Sequence, residues 1–287
     1  MERLKSLEEY KSLLSEYKQI TRRGYNNNFL NTDSITRYIS LQRIYYETCT
    51  KALMFYTDEE KYYRLYVILS PDIDNEINIC NKDKPIMLRN IYKEDKKPEA
   101  LLKSEELFKK LGFVLYDETV QIVAKPLEHK EEIQSKYNKS ISFLDRFGIK
   151  IAYAEKKNIE QIINLRNDEP LLKDYHFSYE TEKEILDDIE KGYYRCAFNS
   201  SGEVCAAQHY SIANDTIQGD WLAVKEEYKA KYGIGNAMAY HSFLYAIEHE
   251  IFNYFGWVAR DNIKSIKYHQ AIGYELSDKW ADEWLLK

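Results

Sequence analysis

The chain has 287 residues with a formal net charge of −6, and 44% of its residues are hydrophobic and 31% charged. This composition is that of a folded protein rather than a disordered one, and the length favours two domains. The acidic balance argues against a nucleic-acid partner, because neutralising phosphates requires a basic surface, and it suits an amine-bearing substrate.

Compartment and redox state follow from what the sequence lacks. No stretch near Met1 has the pattern of a secretory signal, and no segment approaches the roughly 18 consecutive apolar residues of a membrane-spanning helix. The four cysteines, which form no CxxC pair, are scattered in a way that predicts free thiols: Cys49, Cys80, Cys196 and Cys205. We therefore expect a cytoplasmic protein without a membrane partner.

The first half of the chain begins with a helical pattern and continues with strands. Apolar residues recur at helical spacing over the first forty residues, starting at Leu4. A helix is predicted from Pro98 to about Leu111, with Gly112 as its C-terminal cap. The predicted strands of this half cover residues 52–56, 63–69, 86–92 and 120–124.

A highly charged stretch follows, and the order of elements after it is clearer. Residues 128–139 lack a strong apolar stripe and are interpreted as the connection between two domains, 1–140 and 141–287. The second half then reads as strand, two helices, three consecutive strands, helix, strand, helix and strand. The three consecutive strands cover residues 193–198, 204–212 and 216–224.

The turn after the third of these strands carries two glycines in Tyr232-Gly-Ile-Gly-Asn-Ala237 and opens a long helix. The first N–H groups of a helix have no internal partner, and the helix dipole adds to their attraction for an anion. Gly233 and Gly235 lack a Cβ and so allow a pyrophosphate to approach those amides. A Gly-x-Gly turn also occurs for steric reasons alone, so its context decides.

The element order and two motifs resemble the GNAT family of acyl-CoA-dependent N-acetyltransferases. One motif is the Gly-x-Gly turn, and the other is Asn262–Tyr274, where Asn262, Ser265, Gly273 and Tyr274 match. The resemblance implies an α/β fold with mixed, mostly antiparallel sheets flanked by helices. It also implies acetyl-CoA or another short acyl-CoA as cosubstrate, no metal, and an amine of a small molecule or peptide as acceptor.

Two other functions are compatible with the resemblance. The family has Arg or Gln where this chain has Ala230, which leaves open a non-catalytic acyl-CoA sensor. Two GNAT-like units also occur together in aminoacyl-tRNA-dependent peptidoglycan transferases, although the acidic charge of this chain counts against that comparison.

The resemblance places the cofactor along the end of a strand, the glycine turn and the second motif. A β-bulge at Leu222–Val224 would free an N–H to polarise the thioester carbonyl. Lys229 and Lys231 flank Ala230 and would supply its missing positive charge, and Tyr232 is an insertion in the turn. The implied cofactor contacts are Leu222, Ala223, Val224, Lys229, Lys231, Tyr232, Gly233, Ile234, Gly235, Asn236, Ala237, Asn262 and Ser265.

Proton transfer has several candidates. The family tyrosine that protonates the departing thiolate stands seven residues after the motif's asparagine, which gives His269. Tyr268 is one residue away and serves if the helix is rotated, but we favour His269. Asp220 is the candidate base because it lies in the middle of an apolar strand, and a structural role explains it equally well. The alternative bases are His209, Glu226, Glu227 and a water chain.

Other polar residues are weaker candidates. The loop between the first two helices of the second half carries acidic residues that could hold a cationic acceptor, although solvated surface charge explains them as well: Asp168, Glu169, Asp174 and Glu180. His241 and His249 have no partners at metal-ligand spacing and are interpreted as surface or core residues. No metal site is predicted.

The second motif has an earlier copy at a constant offset of 161 residues. Six positions match, and the pairs are Ser104 with Ser265, Leu111 with Ile272, Gly112 with Gly273, Phe113 with Tyr274, Leu115 with Leu276, and Asp117 with Asp278. The unbroken register indicates a duplicated fold. Phe108 stands at the position of His269, and no Gly-x-Gly turn precedes a helix in the first copy. The N-terminal half therefore resembles a degenerate GNAT-like unit that has lost cofactor binding.

Overall fold

A computed structural model describes residues 1–21, 24–73, 77, 79, 83–93, 96–168, 180–213 and 215–287. The chain divides into two units. Unit 1 contains Met1–Thr119 and Asp278–Lys287, and unit 2 contains Val120–Ser277. This division differs from the boundary between residues 140 and 141 that the sequence predicts. No described helix has the length and apolar character needed to cross a membrane.

The first ten elements begin in unit 1. Helices α1 and α2 precede a group of strands, and α3 follows it. In chain order they are β1 (Glu2–Arg3), α1 (Leu7–Thr21), β2 (Tyr25–Asn26), α2 (Thr32–Ser40), β3 (Ile44–Cys49), β4 (Ala52–Asp58), β5 (Tyr63–Leu69), β6 (Ile86–Lys93), α3 (Glu99–Lys110) and β7 (Val114–Ala124). The last residues of β7, from Val120, belong to unit 2.

The remaining elements follow in the order that the sequence predicts, with one helix added before them. They are α4 (Lys130–Asp145), β8 (Lys150–Tyr153), α5 (Ile159–Asn167), α6 (Glu182–Glu190), β9 (Tyr194–Phe198), β10 (Val204–Ala213), β11 (Thr216–Val224), α7 (Ile234–Glu248), β12 (Asn253–Ala259), α8 (Ile263–Ile272) and β13 (Glu275–Leu286). The residues of β13 from Asp278 onward belong to unit 1.

In unit 1, helices cover both faces of the antiparallel strands β3, β4 and β5. Side chains alternate along β4, so Leu53 and Phe55 pack with α1 and α2, while Met54 belongs to the cluster that contains Phe108 of α3. Burial of both faces explains why β4 and β5 read as largely continuous apolar runs.

In unit 2, the strands β8 to β11 are antiparallel neighbours, and β12 joins β11 in parallel. Helices α5 and α6 cover one face, and α4 and α7 cover the other. The stretch 128–139 is therefore largely helical, and its interpretation as a domain connection is wrong. Only Ile133 and Leu144 of α4 are buried, which explains the weak apolar stripe.

Each unit receives its last strand from a separate part of the chain. In unit 1, β13 pairs with β6 from Lys279 to Leu286. In unit 2, β7 lies beside β12, where the Ile122 side chain is 3.6 Å from the position that a Cβ on Gly256 would take. The sequence instead assigns the final strand to the second domain.

The two units repeat one order of elements. Two helices, three strands, a parallel strand, a helix and a strand recur, but no described residue between β5 and β6 is helical, where α7 stands in unit 2. The helix ends also match at the offset of 161. The Phe113 N–H donates to Phe108 O at 2.9 Å, and the Tyr274 N–H donates to His269 O at 3.0 Å. The predicted duplication of the fold is confirmed.

Candidate functional site

The candidate site lies where two neighbouring strands of unit 2 separate. Within the described residues, β11 and β12 pair only from Thr216 to Gln218 and from Asn253 to Phe255. β11 continues to Val224 and still pairs with β10 on its other side. Its edge toward β12 therefore carries backbone groups without a strand partner, and such an edge can accept an extended ligand.

Helix α7 begins close to this gap with unpaired amides. Its N-cap Gly233 has a left-handed backbone, with φ of +65°, and no side chain caps the helix. The first helical hydrogen bond runs from the Ala237 N–H to Gly233 O at 3.2 Å. The N–H groups of Ile234, Gly235 and Asn236 have no acceptor among the described residues. Such amides at the positive end of a helix dipole favour an anion.

The turn before Gly233 combines a strained residue with an ion pair and an aromatic contact. Ala230 adopts a φ of +57°, in the left-handed region that side chains other than glycine rarely enter. Lys229 forms an ion pair with Glu226 at 3.1 Å, and the Tyr232 ring packs on Phe147 with centroids 4.9 Å apart. Lys231 is exposed. Of the two flanking lysines, Lys231 is thus the more exposed.

The irregular residue of β11 is Asp220. The register with β10 shifts between Gly219 and Trp221, which leaves Asp220 as the extra residue, whereas Leu222–Val224 pairs regularly with Ala206–Gln208. The bulge expected at Leu222–Val224 is therefore wrong. A bulge bends its strand and re-aims a side chain, and here it does so for the candidate base.

Asp220 is held by two donors, one of which belongs to a buried cluster of charges. Gln218 Nε2 donates to Asp220 Oδ1 at 3.0 Å, and His209 Nδ1 lies 3.1 Å from Asp220 Oδ2. Burial lowers the pKa of His209, but the nearby carboxylates of Asp188, Asp220 and Glu180 outweigh burial and raise it to about 10. His209 is therefore a cation at neutral pH.

The other two carboxylates around His209 already form ion pairs with basic residues. Arg166 pairs with Glu180 at 3.1 Å, and Lys191 pairs with Asp188 at 2.8 Å. Ligand atoms of Glu180, Asp188 and His209 lie within 4.8 Å of one another, close enough to hold a metal ion. Three carboxylates therefore face three cations. The carboxylates are Glu180, Asp188 and Asp220, and the cations are Arg166, Lys191 and protonated His209. The net charge of the cluster is zero as long as His209 keeps its proton. A divalent ion would replace that single proton and leave excess positive charge.

At α8, the residues of the second motif bond to one another. Asn262 caps the helix, with its Oδ1 accepting from the Ser265 N–H at 3.0 Å. His269 Nδ1 lies 2.8 Å from Ser265 O and can only donate to it. Burial lowers the pKa of His269, and the bond to Ser265 opposes that effect in part. The neutral ring therefore has its proton on Nδ1 and none on Nε2.

Tyr268 points to the start of α7. A Cβ on Gly235 would lie 2.9 Å from the Tyr268 hydroxyl and 3.5 Å from Leu222 Cδ2. This hydroxyl is buried and has no hydrogen-bond partner in the described part of the chain. Burial raises the pKa of Tyr268, so the phenol keeps its proton. Because an unsatisfied buried hydroxyl is costly, a ligand in the gap would gain by satisfying it.

The acidic loop contributes one residue to the cluster. Glu180 joins it, Asp168 is the C-cap of α5, and Glu169 and Asp174 lie outside the described residues. Asp188 was not predicted from the sequence, where nothing distinguishes it from the other acidic residues of α6. Only the folded chain brings it beside His209 of β10.

The remaining candidates lie away from the gap or in solvent. Arg195 Nε donates to His241 Nδ1 at 3.1 Å, and burial, assisted by the charge of Arg195, lowers the pKa of His241 to about 4. His241 is therefore a neutral, largely buried residue, while His249, Glu226 and Glu227 are exposed.

Solved structures share this architecture, although no family model and no curated protein matches the sequence. A GCN5-related N-acetyltransferase-like protein from Streptococcus suis matches 96% of this chain and 99% of its own, with a TM-score of 0.55 and 14% identity. A GNAT-family acetyltransferase from Colwellia psychrerythraea matches 100% and 99%, with a TM-score of 0.53 and 10% identity. A tandem GNAT protein from the clavulanic acid biosynthesis pathway matches 82% and 78%, at 0.50 and 10%. The chain thus has the GNAT fold in a tandem arrangement, as its sequence predicts.

Proposed function

We propose that unit 2 binds an acyl-CoA, most simply acetyl-CoA, and transfers its acyl group to an amine of a small molecule or peptide. The observation that carries this proposal is the meeting of the β11–β12 gap with the unpaired amides of Ile234, Gly235 and Asn236. The amides of the pantetheine arm pair with the free edge of β11, and the pyrophosphate binds at the start of α7. Lys231 adds a positive charge to that end.

The reaction is a direct acyl transfer. The amine nitrogen attacks the thioester carbonyl, the carbon–sulfur bond breaks, the thiolate gains a proton and the amine loses one. Tyr268 is the proposed proton donor because its phenol keeps its proton and lies beside Gly235 at the start of α7. His269 would have to be cationic to donate from Nε2, and its burial opposes that charge.

Asp220 is the proposed acceptor of the amine's proton. Its carboxylate is oriented by Gln218 and His209 at the bulge. His209 itself is already protonated at neutral pH, so it acts as a positioning residue rather than as a base.

An amine screen with acetyl-CoA and thiol detection tests the proposal on the full chain. We expect release of free CoA that depends on the acceptor, and a loss of at least about 100-fold in turnover for Asp220→Asn with little change in acetyl-CoA affinity. Asp215→Asn, at the exposed turn before β11, is the matched control and should behave as wild type. If the chain binds acetyl-CoA but no amine causes release of free CoA, acyl transfer is contradicted and the non-catalytic acyl-CoA sensor is favoured.

A further inference from the structure

Unit 1 contains the counterpart of the β11–β12 gap. There, in the part of the chain that the structure describes, β5 and β6 pair in parallel only from Tyr63 to Leu65 and from Ile86 to Leu88. Beyond that point β5 runs on to Leu69, and β6 runs on to Lys93. The two units therefore share parallel strands that pair over three positions at their beginnings.

A short segment of the chain itself pairs with the free end of β5. In β2, Tyr25 is opposite Leu69 and Asn26 is opposite Ile68. Ile68 and Leu69 stand three and four residues beyond the last parallel pair of β5, as Trp221 and Leu222 do in β11. In unit 2 the second of these positions is Leu222, which the family resemblance implies to contact the cofactor.

Asn27 joins the two separating strands of unit 1. Its N–H donates to Val67 O at 3.2 Å, and its side-chain Oδ1 accepts from the Val67 N–H at 2.6 Å. Its Nδ2 donates to Arg89 O on β6 at 3.1 Å. Asn27 is only 2% exposed, and the hydroxyl of Tyr25 bonds to Asn90 Oδ1 on β6. The segment thus satisfies backbone groups on both sides of the gap.

The fit of the segment depends on a glycine. A Cβ on Gly24 would lie 1.8 Å from Leu69 O, so no other residue fits this approach. Beside the segment remains a cavity of about 330 Å³, whose lining includes Tyr25, Ser104 and Leu107. Ser104 and Leu107 are the repeat counterparts of Ser265 and Tyr268, which places the cavity at the same position in the repeat as the site in unit 2.

We propose that Gly24–Asn27, the plug, is a built-in ligand of the unit 1 gap that takes the place of a pantetheine arm. The chain accordingly binds one acyl-CoA, in unit 2 only. The cofactor part of this statement rests on the proposed function of unit 2, whereas the plug itself rests on the contacts within unit 1. Loss of cofactor binding in unit 1 then has a steric cause in addition to its missing Gly-x-Gly turn.

Hydrogen exchange of the Val67 amide tests the plug without any cofactor. Asn27→Ala removes the acceptor of that amide and should speed its exchange at least tenfold, while Asn26→Ala, at the exposed preceding residue, keeps the acceptor and should leave the exchange unchanged. Gly24→Ala should have the effect of Asn27→Ala, because its Cβ displaces the plug without altering β5 or β6. Equal exchange in Asn26→Ala and Asn27→Ala would overturn the plug.

Titration of acetyl-CoA into the wild-type full chain tests the consequence and remains decisive if the variants do not fold. One molecule should bind per chain, with new exchange protection at Leu222–Val224 and none at Val67–Leu69. Two molecules per chain, or new protection at Val67–Leu69, would overturn the proposal. Absence of any binding would instead contradict the function of unit 2, and the exchange comparison would still decide the plug.

Discussion

Two adjacent residues on α8 have opposite electrostatic properties. Tyr268 keeps its proton, and its hydroxyl has no hydrogen-bond partner among the described residues. The single proton of the neutral His269 ring is donated to Ser265 O, and burial disfavours the cationic form. The motif spacing alone favours His269, because spacing fixes a position in the sequence but not the direction in which a side chain of the helix points. We propose Tyr268 as the acid because its hydroxyl lies beside Gly235 at the start of α7.

Replacing Tyr268 should separate activity from stability. Tyr268→Phe removes a buried hydroxyl that has no hydrogen-bond partner in the described ranges, so the ligand-free protein should gain about 1 kcal/mol in the free energy of unfolding. Its turnover should nevertheless fall about tenfold or more, because the thiolate loses its donor. Denaturant unfolding and steady-state kinetics measure the two effects. His269→Phe is the comparison, and a larger loss of turnover in that variant would identify His269 as the acid instead.

The charge of His209 should appear in the pH dependence of stability. Its pKa is about 10 in the folded chain against an ordinary value of 6.5, so its stabilisation is complete below pH 6.5 and is lost as the pH rises toward 10. The carboxylates of Asp188, Asp220 and Glu180 cause this shift. Within that window the loss approaches about 1.4 kcal/mol per pH unit.

His209→Gln should flatten this alkaline decline in the free energy of unfolding, measured with denaturant from pH 6.5 to pH 10. His249→Gln, at an exposed position, should keep the wild-type slope. An identical decline in wild type and His209→Gln would show that the cluster does not hold the proton on His209.

At the scale of elements, the sequence predicts what is local and misses what depends on distant partners. The hairpin of β4 and β5 and the end of α8 at Gly273 follow from apolar runs and a glycine with positive φ. The unpaired amides at the start of α7 are also predictable, because the Gly-x-Gly turn that opens this helix is a local feature of the sequence. The bulge at Asp220 depends on the register with β10, and the His209 cluster is assembled from several elements, so neither has a local signal.

The placement of the last strands predicts how fragments of the chain behave. A fragment of residues 120–277 contains all of unit 2, including the end of β7 beside β12. A fragment of residues 141–287 lacks that strand and most of α4, and it carries β13 without its partner β6. We expect only the first fragment to unfold cooperatively on heating, as monitored by circular dichroism. Equal or greater stability of the second would contradict the exchange of strands.

At the scale of the whole molecule, one fold occurs twice and its two gaps differ in what fills them. In unit 1 the gap holds Gly24–Asn27, and no described residue between β5 and β6 is helical. In unit 2 the gap is bordered by the unpaired edge of β11 and the amides of α7, and the buried hydroxyl of Tyr268 lies beside Gly235 at the start of α7. We propose that this second gap takes an acyl-CoA with its pyrophosphate on α7.

Calorimetric titration of acetyl-CoA into wild type and Asn236→Glu tests that claim most directly. A carboxylate in the first turn of α7 stabilises the helix by roughly 0.3–1 kcal/mol, so folding is retained while the pyrophosphate is repelled. We predict one acetyl-CoA per wild-type chain and affinity at least about tenfold weaker, or about 1.4 kcal/mol, for Asn236→Glu. Gln270→Glu adds the same charge on the exposed face of α8 and should bind as wild type. No binding by the wild type, or equal affinity in Asn236→Glu, would contradict the account.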